Sequence, residues 1–302
     1  MAMTAAQFQL LLEPGLSRIW HDSQTPAPSE FDRCFNIREF RKVTETDAKM
    51  ADFGSLQTQD EGQGIIYDDA IPPISRNYDF TIRALGYKIT EKLQDWELYG
   101  QIAKLEMGLK RSAEFDIETY AFAVLNNATG TGVSTGFDGL ALASTAHTRL
   151  DGGATQANRP TSLGALSVST LQTALTQFNT WVNDRGRPIV VRPVKLIVPP
   201  ALELTAREIL ESQMRPDTAN NTTNVITRHG LELHVSRYIT GSAYWALLGD
   251  SHDINFWWAK RPETGSEVDF ETETIKRKVR QGYGRGHGEW VGYYQGNTKK
   301  TT

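Results

Sequence analysis

Apolar residues recur at steps of three or four between positions 95 and 127, which is the strongest periodic signal in the chain. This spacing keeps apolar side chains on one face of an α-helix. At about 1.5 Å per residue, about 33 residues make a rod roughly 50 Å long. We therefore predict a long helix over about 95–127, which stops at the polar sequence 126–130. Its apolar positions are Leu98, Ile102, Leu105, Leu109, Ala113, Ile117, Tyr120 and Val124.

Residues 51–75, which we call the acidic segment, have the opposite character. They contain no Lys or Arg and too few apolar residues to form a core. Strand-like patterns lie at 65–67, before two prolines, and at Tyr78, Phe80 and Ile82 after them. A loop of this length in a compact domain is usually functional or disordered. We therefore predict that residues 51–88 form a two-stranded finger that projects from the body. Its acidic residues include Asp52, Asp60, Glu61, Asp68 and Asp69.

The second half of the chain mixes helical and strand patterns. We predict a helix from Val168 to Val182, a buried strand from Ile189 to Val198, and a short helix over about 201–212, which begins at two prolines. Helices mingled with strands that do not alternate regularly with them favour an α+β fold. The predicted later strands are 230–238, 243–249, 254–259 and a long strand pattern within 266–295. The predicted regions are an arm (1–50), the finger (51–88), a region with the long helix (89–164), a second lobe (165–262) and closing strands (263–302).

Composition and charge exclude several classes of protein. The chain has 32 basic and 36 acidic residues, a formal net charge of -4, so it lacks the basic excess of a protein that grips DNA. Cys34 is the only cysteine, which rules out an intrachain disulfide. The first residues lack the basic start of a signal peptide, and no apolar run reaches the roughly 18 to 20 residues that cross a bilayer. We expect a soluble protein with no membrane partner.

The candidate chemical sites have simpler structural interpretations. Ser144, His147 and Asp151 are close in sequence, but a nucleophile, base and orienting acid are defined by geometry in space. No nucleophile-elbow motif accompanies them, and we expect His147 to be a structural loop residue. The six histidines show no metal-ligand spacing. The sequence therefore predicts no catalytic residue, no metal site and no cofactor, and the protein is not expected to be an enzyme.

The closing strand carries a basic run at 276–280 after an acidic run at 267–273. A short basic run can mark a nucleic-acid patch. A strand that is acidic at one end and basic at the other suits contact with a neighbouring subunit better than a grip on nucleic acid. Alternating glycines at 282–288 mark a bend or the close approach of another backbone.

The order of these elements resembles the HK97-type fold of tailed-phage major capsid proteins. Three phrases look like the Mu-like branch of that family, and the likeness covers roughly residues 50–297. In the first of these segments, Ala143 stands where the family usually has an aromatic residue, and Thr148 stands where it usually has a proline. The phrases are Asp138-Gly139-Leu140 through Ser144-Thr145-Ala146-His147 with Asp151 and Asn158, residues 194–212, and residues 276–295.

The resemblance implies an N-terminal arm at 1–50 and an extended E-loop at 51–88. It also implies a spine helix at about 95–127 within a peripheral domain (89–164 and 263–302), and an axial domain at 165–262 with a central loop at 213–224. Such subunits form hexamers and pentamers of an icosahedral shell that encloses double-stranded DNA. The expected partners are a separate scaffolding protein, a portal protein and weakly contacted DNA, with a decoration protein as a further candidate. The expected location is the virion, after assembly in the host cytoplasm.

A shell requires repeated contacts between copies. We expect the finger acids Asp60, Glu61, Asp68 and Asp69 to lie near basic residues of adjacent subunits, with Lys110, Arg277 and Lys278 as the candidates. Some members of the family join their subunits by a Lys–Asn bond that starts from the finger. This chain has no lysine between Lys49 and Lys88, so we expect a shell without covalent bonds between subunits.

Two alternatives stay open at the level of the sequence. An encapsulin-like compartment would keep the fold and enclose a protein; portal and terminase genes nearby, or DNA inside the particles, would exclude it. A β-rich carbohydrate-binding module is suggested by the 7 Trp and 10 Tyr residues. Such a module has no use for a long helix and would remain small on size-exclusion chromatography.

Overall fold

The computed structural model describes residues 18, 20, 29–65, 67–90, 92–93, 100–214 and 223–297. The chain divides into two compact units. The first comprises Met1–Thr44, Asp79–Ala121 and Phe256–Arg285, and the second comprises Glu45–Tyr78, Phe122–Asn255 and Gly286–Thr302. The mixture of helices and strands agrees with the predicted α+β class. The strands are β1 (Asn36–Glu39), β2 (Thr44–Lys49), β3 (Ile74–Asp79), β4 (Thr81–Ile89), β5 (Pro193–Val198), β6 (Glu232–Val235), β7 (Trp245–Gly249), β8 (Ile254–Val268), β9 (Ile275–His287) and β10 (Tyr293–Asn297). The helices are α1 (Gln101–Asn126), α2 (Val168–Phe178) and α3 (Glu203–Glu211).

The first unit is built on a four-stranded sheet with the order β1-β8-β9-β4. β4 runs antiparallel to β9 in unbroken register, from Thr81 opposite Tyr283 to Ile89 opposite Ile275. In a strand, successive side chains point to opposite faces. The odd-numbered residues of β9 from 275 to 279 are buried, whereas Lys278 and Arg280 are exposed. At the 275–280 end of β9, one face of this sheet is therefore covered and the other is open.

Helix α1 covers that sheet face. Ile102 packs with Ile89 and Ile275, and Leu109 packs with Ala113 and Val279. The apolar stripe thus predicted the helix and most of its buried face. The predicted start at 95 lies outside the described residues, which resume at Gly100. Leu105 belonged to the predicted stripe but remains 40% exposed.

The second unit contains a four-stranded sheet with the order β10-β7-β5-β6, in which β5 and β6 are parallel. Its core includes Leu171, Trp181 and Trp245, which are almost fully buried. Ser167 caps α2 and forms a capping box with Thr170, two reciprocal side-chain-to-backbone bonds that fix the start of the helix. α2 ends at Phe178, before the predicted Val182, because Trp181 turns into the core and donates to the carbonyl of Ala157 at 3.0 Å.

The strand pairing that we predicted for the finger is wrong. β3 pairs with β2, and β4 pairs with β9. Ile65 and Tyr67 lie outside any strand and are exposed. Two causes account for this: the acidic segment offers no apolar face to bury, and Pro72 and Pro73 have no N–H to donate to a ladder.

Among the described residues, no helix combines the length and the apolar character that a membrane span requires.

Candidate functional site

The residues of the first family-like phrase come together in the second unit. The Nδ1 of His147 lies 2.6 Å from Oδ2 of Asp138, and its Nε2 lies 3.1 Å from Oδ1 of Asn158. The imidazole stacks on the indole of Trp290, with 4.5 Å between ring centroids. Asn158 also accepts from the amide of Ser144 at 2.8 Å and donates to the carbonyl of Leu142 at 2.6 Å. We call Asp138, His147, Asn158 and Trp290 the histidine node.

Electrostatics keep the carboxyl group of Asp138 in this node ionised. Burial raises the pKa of the Asp138 carboxyl, but hydrogen bonds from His147 and from the Leu140 amide offset burial and leave the pKa below its ordinary value. Asp138 is thus an anion that orients His147. The node ties together three loop positions that are separated by 9 and 11 residues in sequence.

Ser144, His147 and Asp151 do not form a nucleophile–base–acid chain. The hydroxyl of Ser144 accepts from the amide of Ala146 at 3.2 Å. Asp151 accepts from Arg149 and from the amide of Gly153 at 2.8 Å. His147 is oriented by Asp138 and stacked on Trp290, so its role here is to hold loops together.

A turn at 183–187 holds both ends of the acidic segment, also within the second unit. Arg185 donates through Nε to the carbonyl of Asp52 at 2.9 Å and through Nη2 to the carbonyl of Asp69 at 2.9 Å. The same guanidinium lies 3.2 Å from Oδ2 of Asp68. Arg187 donates to the carbonyl of Phe53 at 2.6 Å. We call Arg185 and Arg187 the arginine clasp; the clasp fixes the base of the segment and leaves its middle exposed.

The four predicted contact acids therefore differ in position. Asp60 and Glu61 lie at an exposed turn near the middle of the acidic segment, where the amide of Gln63 donates to the carbonyl of Asp60 at 3.1 Å. Asp68 already pairs with Arg185 of its own chain and accepts from the amide of Gly54 at 2.6 Å. Asp69 is held through its backbone carbonyl, and its residue is exposed.

Arg277, one of the predicted basic partners, lies inside the subunit. Its side chain is 2% exposed and lies 3.1 Å from the buried carboxylate of Glu106 on α1. The hydroxyl of Tyr87 donates to the same carboxylate at 2.6 Å, and burial raises the pKa of that hydroxyl. The alternation of β9 turns Arg277 toward α1, so its charge is satisfied inside the subunit and cannot meet a neighbour.

Lys278 is the next residue along β9 and is exposed on the opposite face of the sheet. Lys110 is partly buried on α1. Because α1 covers the other face, Lys110 and Lys278 lie on opposite sides of the sheet. One acidic partner therefore cannot contact both residues of the same copy.

No sequence pattern indicated a second polar contact, which involves the arm. In the first unit, the carboxylate of Glu118 on α1 accepts from the amides of Glu30 at 2.8 Å and Phe31 at 3.0 Å. Phe31 is buried against Phe256, with 4.9 Å between centroids. Burial raises the pKa of Glu118 from 4.5 to about 7, although the two amide bonds oppose the shift. A Glu on a long helix ordinarily indicates a solvated position, so the pattern alone could not identify it.

A third polar cluster joins β2 to loops of the second unit. The amine of Lys49 lies 2.7 Å from Asp184 and 2.6 Å from Glu289. Burial raises the pKa of Glu289 despite the cation beside it. Among the described residues, no group of three or more His, Cys, Asp or Glu side chains is placed to hold a metal ion.

Comparison with known proteins identifies the family. The family model described as phage capsid protein matches residues 74–296, more than half of the chain. No curated protein is similar enough in sequence to match.

Solved capsid structures share the fold. The capsid of an empty GTA particle has a TM-score of 0.60 at 7% identity, with 90% of each chain covered. The capsid of bacteriophage JBD30, decorated with minor capsid protein trimers, has a TM-score of 0.57 at 14% identity, with 78% of this chain and 99% of that chain covered. Mycobacterium phage Adephagia gives 0.56 at 12% identity, with 100% and 99% covered. The chain belongs to the phage capsid protein family and is a major capsid shell protein.

Proposed function

We propose that hexamers and pentamers of this chain build the icosahedral head shell that encloses the double-stranded DNA of a tailed phage. The observation that carries the proposal is the acidic segment, which is clasped at its base and whose middle is exposed among the described residues. Leu56, Ile65 and Tyr67 are large, exposed and close together in sequence. Exposed apolar side chains on a segment that is held at its base are available for contact with another molecule, and family membership makes a second copy the natural partner.

The proposed division of the subunit follows the HK97 pattern. Residues 1–50 are the arm, 51–88 the E-loop and α1 the spine helix; 89–164 and 263–302 form the peripheral domain and 165–262 the axial domain. The proposed central loop is 213–224, of which 215–222 lie outside the described residues. Support for a loop there comes from its base, where the amide of Asn224 donates to the carbonyl of Gln213 at 2.9 Å and its side chain donates to the carbonyl of Ile209 at 2.6 Å.

We also propose that the chain belongs to the Mu-like branch. The histidine node supports this assignment, because Asp138, His147 and Asn158 of the branch-like phrase bond to one another. If the residues of this motif serve one structural contact, their side chains should lie next to one another in the fold.

The proposed contact between subunits pairs the acids of the finger with basic residues of a neighbour, of which Lys278 is exposed and Lys110 is partly buried. Asp60 and Glu61 are the strongest candidates, because both are exposed and remote from the clasp; Asp68 and Asp69 contribute at the edge. Lys278 or Lys110 of a neighbour provides the opposite charge, and Arg277 is excluded by its burial. Exposed pairs contribute only about 0–1 kcal/mol each, so they set the register of subunits more than the stability of the shell.

The partners extend this proposal. We infer a separate scaffolding protein and a portal protein during assembly in the host cytoplasm, and weak contact with packaged DNA, consistent with a net charge of -4. A decoration protein is a further proposed partner; the JBD30 capsid carries minor capsid protein trimers. The shell is proposed to be non-covalent, since the finger has no lysine before Lys88; boiled denaturing gels of particles should then show monomers and no ladder.

The direct test is assembly of the purified chain with and without the finger charges. Replacement of Asp60 and Glu61 by alanine should slow the growth of light scattering and reduce its dependence on salt. A matched control is Glu203→Ala with Glu211→Ala, which removes two exposed acids of α3. Equal kinetics in all three proteins would refute the finger contact, and DNA-free, protein-filled particles isolated from producing cells would favour a storage compartment.

A further inference from the structure

A buried histidine of the second unit has no hydrogen-bond partner for its ring. His287 is the last residue of β9 and is 1% exposed. Its backbone amide donates to the hydroxyl of Ser134 at 3.1 Å, but neither Nδ1 nor Nε2 meets a donor or acceptor among the described residues. Buried polar groups are nearly always hydrogen-bonded, because an unpaired one loses its hydration without compensation. The ring of His287 is therefore an exception that requires an explanation.

His147 shows how the same unit satisfies another buried imidazole. Its Nδ1 lies 2.6 Å from Oδ2 of Asp138, and its Nε2 lies 3.1 Å from Oδ1 of Asn158. The ring of His287 has no such oxygen within bonding distance among the described residues. A proton added to either of its nitrogens would therefore create a buried cation without a hydrogen-bonded acceptor, which is costly.

The ring is enclosed by the loop that follows α1. A Cβ on Gly136 would lie 3.5 Å from Nε2 of His287 and 3.0 Å from the carbonyl oxygen of Gly288, so the absence of a side chain at this position permits the close approach. The amide of Phe137 donates to the same carbonyl at 2.9 Å. The contact, which we call the latch, joins residues 134–138 to residues 286–290.

A carboxylate holds the closing segment of the latch in place. The amides of Gly288 and Glu289 both donate to Oδ2 of Asp253, at 3.1 Å each. The segment is thus bonded to the loop through Phe137 and to a second loop through Asp253. Because the ring of His287 is buried under these contacts, we expect it to reach water only when some of them open.

The charges near the ring do not favour a cation. Burial has the largest effect, and Arg76 of β3, which donates to the carbonyl of Gly136 at 3.1 Å, adds a positive charge nearby. Asp138 acts in the opposite direction, and His147 again disfavours protonation. Together these groups lower the pKa of His287 from 6.5 to about 3.

Other titratable groups lie on segments that pack against the latch, and each is engaged elsewhere. Asp253 accepts from two backbone amides, and Glu289 lies 2.6 Å from the amine of Lys49. His252 is next to Asp253, and burial lowers its pKa to about 4. His252 is therefore a rival source of any response to acid, which an experiment on His287 has to separate.

We propose that His287 makes the latch sensitive to acid: the neutral ring is sealed inside the closed latch, and a proton taken up by the ring holds the latch open. The closed latch provides no acceptor for that proton, whereas the open latch provides water. Opening should also uncover Trp290, which is 6% exposed and stacks on His147. The device lies within one subunit, so it does not depend on the contacts proposed between copies.

Linkage gives the direction and the size of the response. In the open latch the ring binds a proton with the ordinary pKa of 6.5, and in the closed latch only near 3. Above pH 6.5 both states are neutral at this residue, so pH has no effect through it. Between about 6.5 and 3 the open state binds one more proton, so each unit of acidification should raise the ratio of open to closed latch about tenfold.

Hydrogen exchange of the full chain, corrected for intrinsic rates, tests this response at the amides of Phe137, Gly288 and Glu289. Between pH 7.5 and pH 5, protection in the wild type should fall about thirtyfold further than in His287→Gln, because the amide side chain does not titrate. His229→Gln, at an exposed position, is the matched control and should respond like the wild type. Equal responses in the wild type and in His287→Gln would overturn the proposal.

The variant His252→Gln separates the rival. It should keep the thirtyfold response that His287→Gln loses. If His252→Gln loses the response and His287→Gln retains it, the acid sensitivity belongs to His252 and the proposal is wrong.

A second measurement needs no substitution and covers the case in which His287→Gln does not fold. Deuterium exchange at the imidazole C2 position, followed by mass spectrometry of peptide fragments, reports the protonation of single histidines. In the folded wild-type chain the profile of His287 should show no midpoint between pH 5 and pH 8. In the urea-unfolded chain its midpoint should lie near 6.5. A midpoint near 6.5 in the folded chain would show that the ring is not sealed, and would refute the device.

Discussion

The guanidinium of Arg277 lies 3.1 Å from the carboxylate of Glu106, and the two side chains are 2% and 0% exposed. A buried ion pair is weak evidence of net stabilisation, because desolvation of both charges offsets their attraction. It does bind α1 to β9 with a directional contact. Removal of one partner leaves the other charged and buried, which is far more costly than removal of both.

Glu106→Ala should therefore lower the free energy of unfolding by about 3–5 kcal/mol. Replacement of both residues, Glu106→Leu with Arg277→Met, should recover most of the free energy of unfolding that Glu106→Ala loses. Urea unfolding of the unassembled subunit measures both values. The matched control is Glu39→Ala, which breaks the exposed pair with Arg261 and should cost less than about 1 kcal/mol. Equal losses at Glu106 and Glu39 would show that the pair is not buried in solution.

The docking of the arm on Glu118 should depend on pH near neutrality. The folded pKa of about 7 exceeds the ordinary 4.5, so the docked state binds a proton more tightly than the undocked state. By linkage, docking is strongest below pH 4.5 and weakens as the pH rises through about 7. Glu30 and Asp32, the acids that also raise this pKa, strengthen the effect at high pH.

Hydrogen exchange at the amides of Glu30 and Phe31, corrected for intrinsic rates, measures this docking. We expect less protection at pH 8 than at pH 6 in the wild type. In Glu118→Gln the difference should disappear, because the amide carries no charge at either pH. Glu114→Gln on the same helix should behave like the wild type. Protection that is independent of pH in the wild type would contradict the assignment.

The arginine clasp should control the order of the acidic segment without controlling the stability of the body. Arg185→Ala removes the donor to Asp52 and Asp69, so chymotrypsin should cleave at Phe53 and Tyr67 several times faster. The Tm should stay close to the wild-type value, because the contacts lie at the surface. Arg192→Ala, an exposed arginine of the same unit, is the control. Unchanged cleavage would show that the segment is held in another way.

The histidine node should contribute substantially to the stability of the second unit. Asn158→Ala removes the partners of the Leu142 carbonyl and the Ser144 amide, and each buried group left unpaired costs about 1–3 kcal/mol. We expect the free energy of unfolding to fall by about 2–4 kcal/mol, which urea titration measures. Thr161→Ala, at an exposed position, should cost almost nothing. A loss below 1 kcal/mol for Asn158→Ala would mean that water replaces the amide.

Periodicity predicted the parts of the fold in which one element buries one face. The stripe from Ile102 to Val124 identified α1, and the same reasoning found α2, whereas α3 was predicted from the two prolines at its start. The α+β class followed from their mixture with strands. Which strands pair in a sheet depends on contacts between residues far apart in sequence. The pairing of β3 with β2 could therefore not be predicted from local patterns.

The site shows the same limit at the level of single residues. In sequence, Arg277 and Lys278 belong to one basic run and look alike. Only the packing of α1 on β9 makes Arg277 buried and leaves Lys278 exposed. Glu118 and the arginine clasp satisfy backbone groups of remote segments, for which one sequence carries no pattern. Asp60 and Glu61 are exposed, and their contact with a neighbouring subunit stays a prediction.

Sedimentation velocity of the purified full chain, followed by electron microscopy of its fastest fraction, tests the central claim most directly. Subunits that touch through uncovered projections should convert, above a threshold concentration, into closed particles of uniform size. A species that sediments as a single subunit at every concentration, with the middle of the acidic segment protected from hydrogen exchange, would contradict the account.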